Sequence, residues 1–118
     1  TYHQPILISE SAWMKVRDTL SCRQIDKIAV KGKTIGVRVF TARKELSPEE
    51  TRAWPLHETG FELYYGRKFE EAARTFREVT SILGSDDYAS TFMTERCEAY
   101  VTSPPPAGWD GTEVLHEK

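Results

Sequence analysis

The apolar positions of this chain change their period near residue 45. Before it they fall in short runs and alternations, and after it they recur every three or four residues. A change from period two to period 3.6 divides strand-rich from helical sequence. In the first part, Pro5 to Ser9 carries the continuous run Ile6-Leu7-Ile8, which predicts a short strand covered on both faces. Ser9 or Ser11 offers a cap for a helix running to about Thr19, with Trp13, Val16 and Leu20 spaced to pack onto the sheet. A second strand is expected from Cys22 to Lys31 and a third from Thr34 to Thr41. Ile35, Val37 and Val39 alternate there with Gly36, Arg38 and Phe40, as in a half-buried strand. Gly32-Lys33 lies between these two strands, so a hairpin is the natural connection. Three strands and one helix make a thin core, which calls for more sheet or another packing partner.

Ser47-Pro48-Glu49-Glu50 opens the helical part with a cap residue, a first-turn proline and acids at the positive end of the helix dipole. Pro55 is expected to interrupt this helix or mark a restart near Trp54, with a further stretch from about Leu56 to Tyr65. Gly66 and Arg67 make a turn. The next helix spans about Phe69 to Leu83, with Phe69, Ala72, Ala73, Phe76, Val79 and Leu83 on one face, and Gly84 ends it. Ser85-Asp86-Asp87 caps a last helix to about Val101, in which Phe92, Cys97 and Tyr100 are the expected apolar contacts. Pro104-Pro105-Pro106 favours an extended run, and Trp109-Asp110-Gly111 reads as a turn with a docked tryptophan. The fold class that follows is α+β: a small antiparallel sheet with one packed helix over residues 1–45, a helical region over 46–102, and a Pro-rich tail over 103–118.

Composition adds bounds. A chain of 118 residues, 39% apolar and 29% charged, suffices for one domain with a modest core. The net charge of −2 favours no partner, but its distribution is uneven. Arg23, Lys27, Lys31, Lys33, Arg38, Arg43 and Lys44 stand against the single acid Asp26, and an acid-rich helical part follows. Such a basic stretch could face nucleotide phosphates, nucleic acid or acids of the same chain. Nucleic acid is disfavoured, because Phe40 is the one aromatic within the stretch. No apolar run approaches a membrane span, and no signal peptide is visible. Cys22 and Cys97 lack metal spacing and read as reduced thiols of a cytoplasmic protein. His3, His57 and His116 are scattered and read as surface or packing residues. Ser9, Ser11 and Ser47 read as caps, and Glu70-Glu71 as a solvated helix face. The sharpest candidate is Val30-Lys31-Gly32-Lys33. Its glycine lets the backbone turn tightly while two ammonium groups point outward, which suits a phosphate and also an ordinary solvated turn.

The helical spacing resembles the tetratricopeptide pattern, in which small and large residues alternate across two antiparallel helices. Gly60, Phe69, Ala72 and Phe76 match it, while Thr59, Leu63 and Gly84 depart from it. An ordinary helical hairpin is the plainer alternative. The chain as a whole resembles the C-terminal end of a class III adenylate/guanylate cyclase catalytic domain with the helical tail of bacterial members. The residues that carry the resemblance come in order. They are Pro5-Ile6-Leu7-Ile8-Ser9, then Ile25 to Lys33 with its V-K-G-K, then Val37-Arg38-Val39-Phe40. Tyr65-Gly66-Arg67-Lys68-Phe69 with Glu71-Ala72, Arg96-Cys97, Pro104-Pro105 and Trp109-Asp110-Gly111 follow, up to Lys118.

The resemblance implies a ferredoxin-like cyclase domain. Its parent enzyme would convert a nucleoside triphosphate, usually ATP, to a cyclic monophosphate and pyrophosphate with two magnesium or manganese ions. It implies that Lys31 contacts substrate phosphates. The metal-binding aspartates and the transition-state pair would precede this chain, so the chain is expected to be a piece of a longer protein, inactive alone and without a metal of its own. Its implied partners are the remainder of the catalytic domain, a second cyclase protomer, and a protein bound by the helical tail, with no membrane contact by this segment. Strands missing upstream would open a sheet edge, which the chain's own tail or a second copy could cover. The Pro-rich segment and Trp109 are expected to fold back over the sheet or the helices, the alternative being a mobile tail.

Overall fold

The computed structural model describes residues 7–30 and 35–115. It is α+β, with four helices and a mixed sheet of four strands. Two units divide it: a helical one over Leu46–Gly108, and one formed by the described residues up to Glu45 together with those from Trp109 onward.

The sheet unit opens with β1 (Ile8–Ser9) and α1 (Glu10–Val16). The Ser9 hydroxyl accepts the Ala12 N–H at 3.3 Å, so the first of the two candidate serines is the cap. The helix stops three residues before the expected Thr19. The Val16 carbonyl there takes the backbone N–H groups of both Thr19 and Leu20 together with the Thr19 hydroxyl. A threonine side chain that bonds locally competes with continued helix.

The strands β2 (Ser21–Val30) and β3 (Val37–Arg43) pair antiparallel, from Ser21 opposite Arg43 to Ile28 opposite Val37. The register slips between Gln24 and Asp26, which leaves Ile25 as the extra residue of a β-bulge. Strand β1 pairs antiparallel with the other side of β3, at Ile8–Phe40 and Ser9–Val39.

Two expectations for this sheet are corrected. Burial along β3 does not alternate: Phe40 and Thr41, on opposite faces, are both buried, while Ile35 is 78% and Val37 42% exposed. Phe40 is covered by Trp13 of α1, whose ring lies flat on it with centroids 4.4 Å apart. The sheet is also mixed rather than purely antiparallel. A fourth strand, β4 (Glu113–Leu115), runs parallel to β2 with Ile28, Ala29 and Val30 beside Glu113, Val114 and Leu115, in the order β1-β3-β2-β4. A strand that returns after a long excursion has no hairpin to force it antiparallel.

The segment before β4 is tied to the sheet. Lys27 Nζ donates to the Asp110 carbonyl at 3.1 Å, Asp110 Oδ1 accepts the Thr112 N–H at 3.0 Å, and Gly111 takes φ 94°. Gly36 lies under Thr112, where a Cβ on the glycine would stand 2.9 Å from the threonine Cβ. So the turn and the docked Trp109 segment do fold back onto the sheet, and they bring a strand with them. The Pro-rich part goes instead to the helical unit. There Arg67 donates to the carbonyls of Pro105 at 2.7 Å and Pro106 at 3.1 Å, and Pro105 is buried.

In the helical unit, α2 (Pro48–Tyr65) begins with a full capping box. Ser47 Oγ accepts the Glu50 N–H at 3.1 Å and Glu50 Oε1 accepts the Ser47 N–H at 2.9 Å. Pro55 neither breaks nor restarts the helix, which is continuous. The missing donor costs one hydrogen bond. The buried residues on both sides of the proline, Ala53, Trp54, His57, Gly60, Phe61 and Tyr64, hold the two halves in line. Helix α3 (Phe69–Leu83) has the expected bounds, and Gly84 ends it with φ 102°. Asp87 is the residue that caps α4 (Tyr88–Thr102), accepting the Ser90 N–H at 3.3 Å. The buried face of α4 is Ala89, Ser90, Met93, Thr94 and Cys97, while Phe92, expected inside, is 41% exposed. Edge-to-face rings fill the core, with Phe61 and Phe76 5.4 Å apart and Tyr64 and Phe69 5.9 Å apart. No helix among the described residues is long and apolar enough to cross a membrane.

Helices α2 and α3 meet at Gly60, where an added Cβ would lie 2.8 Å from the Phe76 ring. Alanine would gain about 1 kcal/mol of helix propensity, but the overpacking would cost about 1–3 kcal/mol. Gly60→Ala is therefore expected to lower the thermal midpoint. A midpoint unchanged or raised in a calorimetric scan would show that this contact does not set the helix spacing.

Candidate functional site

The residue singled out for phosphate contact, Lys31, lies outside the described residues, as do Gly32, Lys33, His3 and His116. What the structure describes is the frame on either side. Strand β2 ends at Val30, β3 begins at Val37, and the last antiparallel pair before the connection is Ile28–Val37.

That frame is fixed by a layered cluster on the α1 face of the sheet. The Arg38 guanidinium sits 4.8 Å from the Trp13 ring centroid and 5.4 Å from that of Phe40, and Arg17 covers Trp13 at 4.7 Å. Cations over aromatic faces gain from the ring quadrupole. Glu10 completes the layer, accepting the Arg38 backbone N–H through Oε1 and its guanidinium through Oε2, each at 3.1 Å. The Arg38 hydrogen bond holds the Glu10 carboxyl below the usual carboxylate range, against the opposing effect of partial burial. Lys27 stands directly opposite Arg38 across the strands, and Asp110 lies 3.6 Å from its ammonium. The Asp110 carboxyl is likewise held low, first by hydrogen bonding from Thr112 and then by Lys27. Of the basic run, Arg38 and Lys27 thus face acids of their own unit. Arg23 is buried, and Arg43 and Lys44 are exposed.

The remaining candidates resolve into packing. Cys97 is fully buried and free, and burial pushes its thiol up to about 12, so it stays protonated at neutral pH. Cys22 is partly buried and also raised by desolvation. His57 is buried between Phe61 and Phe76, with ring centroids at 5.4 and 5.1 Å. Ser9 and Ser47 are caps, whereas Ser11 sits inside α1 with its hydroxyl 3.1 Å from that of Ser9. Glu70 and Glu71 are exposed in the first turn of α3. Asp26 is fully buried and accepts the Lys27 N–H at 2.8 Å, Asp110 is engaged by Lys27 and Thr112, and no group of three metal-ligating side chains gathers among the described residues.

One feature had no sequence signal. A cleft of about 520 Å³ opens in the helical unit where α3 begins beside the end of α4, lined by Arg67, Phe69, Tyr100 and Pro104 among others. Arg67 shapes it by adopting φ 64°, a conformation that asparagine or glycine would usually supply, while its guanidinium holds the two proline carbonyls. Its charged lining is two bases, Arg67 and Lys68, and two acids, Glu70 and Glu71, which together favour neither sign of ligand. Compared with family models, with curated proteins and with solved structures, the chain gives no match.

A carboxylate with a depressed value stabilises the fold above the ordinary carboxylate range. The contribution is lost as pH falls through the depressed value. Both partners of the Glu10–Arg38 pair are about one-third exposed, so solvent screens it and the effect is modest. Glu10→Gln is expected to lower the thermal midpoint at neutral pH, and the difference from the unsubstituted chain should shrink to nothing in acid. A difference that is the same at both pH values would show that the pair acts through packing and not through charge.

Proposed function

We propose that this chain is the C-terminal end of the catalytic domain of a class III adenylate/guanylate cyclase, followed by a tetratricopeptide-like helical tail. The observation that carries the reading is the ordered set of motifs, from Pro5-Ile6-Leu7-Ile8-Ser9 through Val30-Lys31-Gly32-Lys33 to Trp109-Asp110-Gly111. The strand–helix–strand–strand order and the antiparallel β2–β3 pair on either side of residues 31–34 support it, because a V-K-G-K hairpin requires such a pair. In this reading the Lys31 ammonium contacts the terminal phosphates of ATP and offsets charge that builds on departing pyrophosphate. The catalytic metals belong to aspartates in the remainder of the domain, and a second protomer completes the active site. The chain by itself makes no cyclic nucleotide.

The second reading gives the helical unit a role as a protein-interaction module without catalysis. Its support is the close approach at Gly60 and Phe76, a small residue facing a large one across antiparallel helices, with α4 continuing the same packing.

An ATP titration in the presence of magnesium, followed by backbone amide shifts of the isotope-labelled chain, tests the first reading. Shifts confined to residues 30–34 and abolished by Lys31→Ala are expected. No shift at about millimolar ATP, a concentration that detects even weak nucleotide contact, would leave the β2–β3 connection as a structural piece and favour the second reading. Cyclic nucleotide produced by the pure chain with magnesium or manganese would overturn the claim that it is inactive alone.

A further inference from the structure

The tail strand β4 is lightly built. It is three residues long, stands at the edge of the sheet, and runs parallel to β2. Parallel pairing is slightly less stable per residue than antiparallel. The β2–β3 pairing beside it is antiparallel and extends from Ser21–Arg43 to Ile28–Val37. The turn that leads into β4 is tied to the sheet by Lys27, which bonds the Asp110 carbonyl at 3.1 Å and lies 3.6 Å from its carboxylate. The Asp110 side chain is 65% exposed, so solvent screens that ion pair. The bond from the Thr112 N–H to Asp110 Oδ1 lies within the tail and does not fasten it to the sheet.

One buried atom opposes the attachment. Thr112 Oγ1 is shielded from solvent and finds no hydrogen-bond partner among the described residues. Gly36 supplies the reason. Its bare Cα lies against the threonine, so close that an added Cβ would stand 2.8 Å from the Thr112 methyl and would meet the hydroxyl itself. A C–H surface accepts no hydrogen bond. Docking the tail on Gly36 therefore strips water from a hydroxyl and gives it nothing in return. A valine at 112 would fill the same space without that penalty.

We infer that residues 109–115 form a strap that opens from the sheet while the β2–β3 pair stays folded. The closed strap pairs with Ile28, Ala29 and Val30 and leans on Gly36. Opening returns the Thr112 hydroxyl to water and frees the backbone groups on that side of β2, so the sheet edge is covered in one state and presented in the other. The stripped hydroxyl keeps the margin between the two states small. A short edge element with a small margin opens by itself, below the free energy of global unfolding. The inference stands independently of the cyclase reading, since it uses described residues of the sheet unit alone.

Native-state hydrogen exchange of the full chain, read by amide resonances over a series of low denaturant concentrations, tests it, with a thermal melt of each variant to confirm folding. The protected amides within 113–115 should exchange at least about a hundred times faster than those of the β2–β3 pairing, with little dependence on denaturant. Thr112→Val should slow exchange in the strap about tenfold, the effect of relieving a buried unsatisfied group. Thr112→Ser keeps the hydroxyl and should not slow it. Gly36→Ala should speed it, because the added Cβ meets Thr112. Strap amides that exchange only with the β2–β3 amides, at the same rate and with the same denaturant dependence, overturn the inference. Amides without protection throughout 113–115 also overturn it, because the strap then has no closed form. A folded Thr112→Val chain whose strap exchanges as fast as before, or faster, overturns the role given to the hydroxyl.

Discussion

The flat stack of Trp13 on Phe40 decides the architecture of the sheet unit. Helix α1 covers one face of this sheet, and the tryptophan that it brings buries Phe40 there. Once Phe40 points toward α1, the pleat sends Arg38 to the same face, and the cross-strand register brings Lys27 there too. Two like charges directly opposite each other destabilise a strand pair. Each therefore has its own acid, Glu10 from the helix cap region and Asp110 from the returning tail. The bulge at Ile25 belongs to the same solution. It shifts the parity of β2, so that Gln24 as well as Lys27 shares the face of its partner on β3 while Ile25 is buried. One aromatic contact thus fixes a face, a register, two ion pairs and the point at which the tail attaches.

The helices were largely legible, because their signals are local. The Ser47 capping box, the apolar face of α3 and the stop at Gly84 all lie within a few turns of the residues they govern. Misreadings arose where a distant partner outweighed a local preference. Pro55 is a helix breaker in isolation, but Trp54 and Ala53 pack with Val79 of α3 and hold the helix straight through it. The alternation of Ile35, Val37 and Val39 is a sound strand pattern, but it does not say which face a helix will cover. Strand β4 is three residues long, and its partner lies more than eighty residues earlier in the chain, so no window of sequence announces it.

The candidate site shows the same division. The basic run from Arg23 to Lys44 is plain in the sequence, yet its charge is no measure of what a ligand would meet. Lys27 and Arg38 are committed to acids that sequence distance conceals, and Arg23 is inside. Of the described members of the run, Arg43 and Lys44 are the exposed ones. Among the described residues, Asp26 is fully buried with its carboxylate accepting the Lys27 N–H, and Asp110 is engaged by Lys27 and Thr112.

Helix α4 shows how a small inward face can leave a large outward one. Its buried side is made of Ala89, Ser90, Met93, Thr94 and Cys97, and its hydroxyls are bonded, Ser90 with Thr80 of α3 at 2.7 Å and Thr94 with the Ser90 carbonyl at 2.8 Å. Small residues with satisfied hydroxyls let two helix backbones approach closely. An aromatic at those positions would push α3 and α4 apart and break the Thr80–Ser90 hydroxyl bond, leaving Thr80 its bond to the Phe76 carbonyl. Phe92 and Tyr88 are therefore excluded from the interior by the same close packing that makes the interior stable. Counting apolar residues along α4 suggested that Phe92 belonged inside. Counting space between the helices places it outside, where the Arg96 guanidinium lies over its ring.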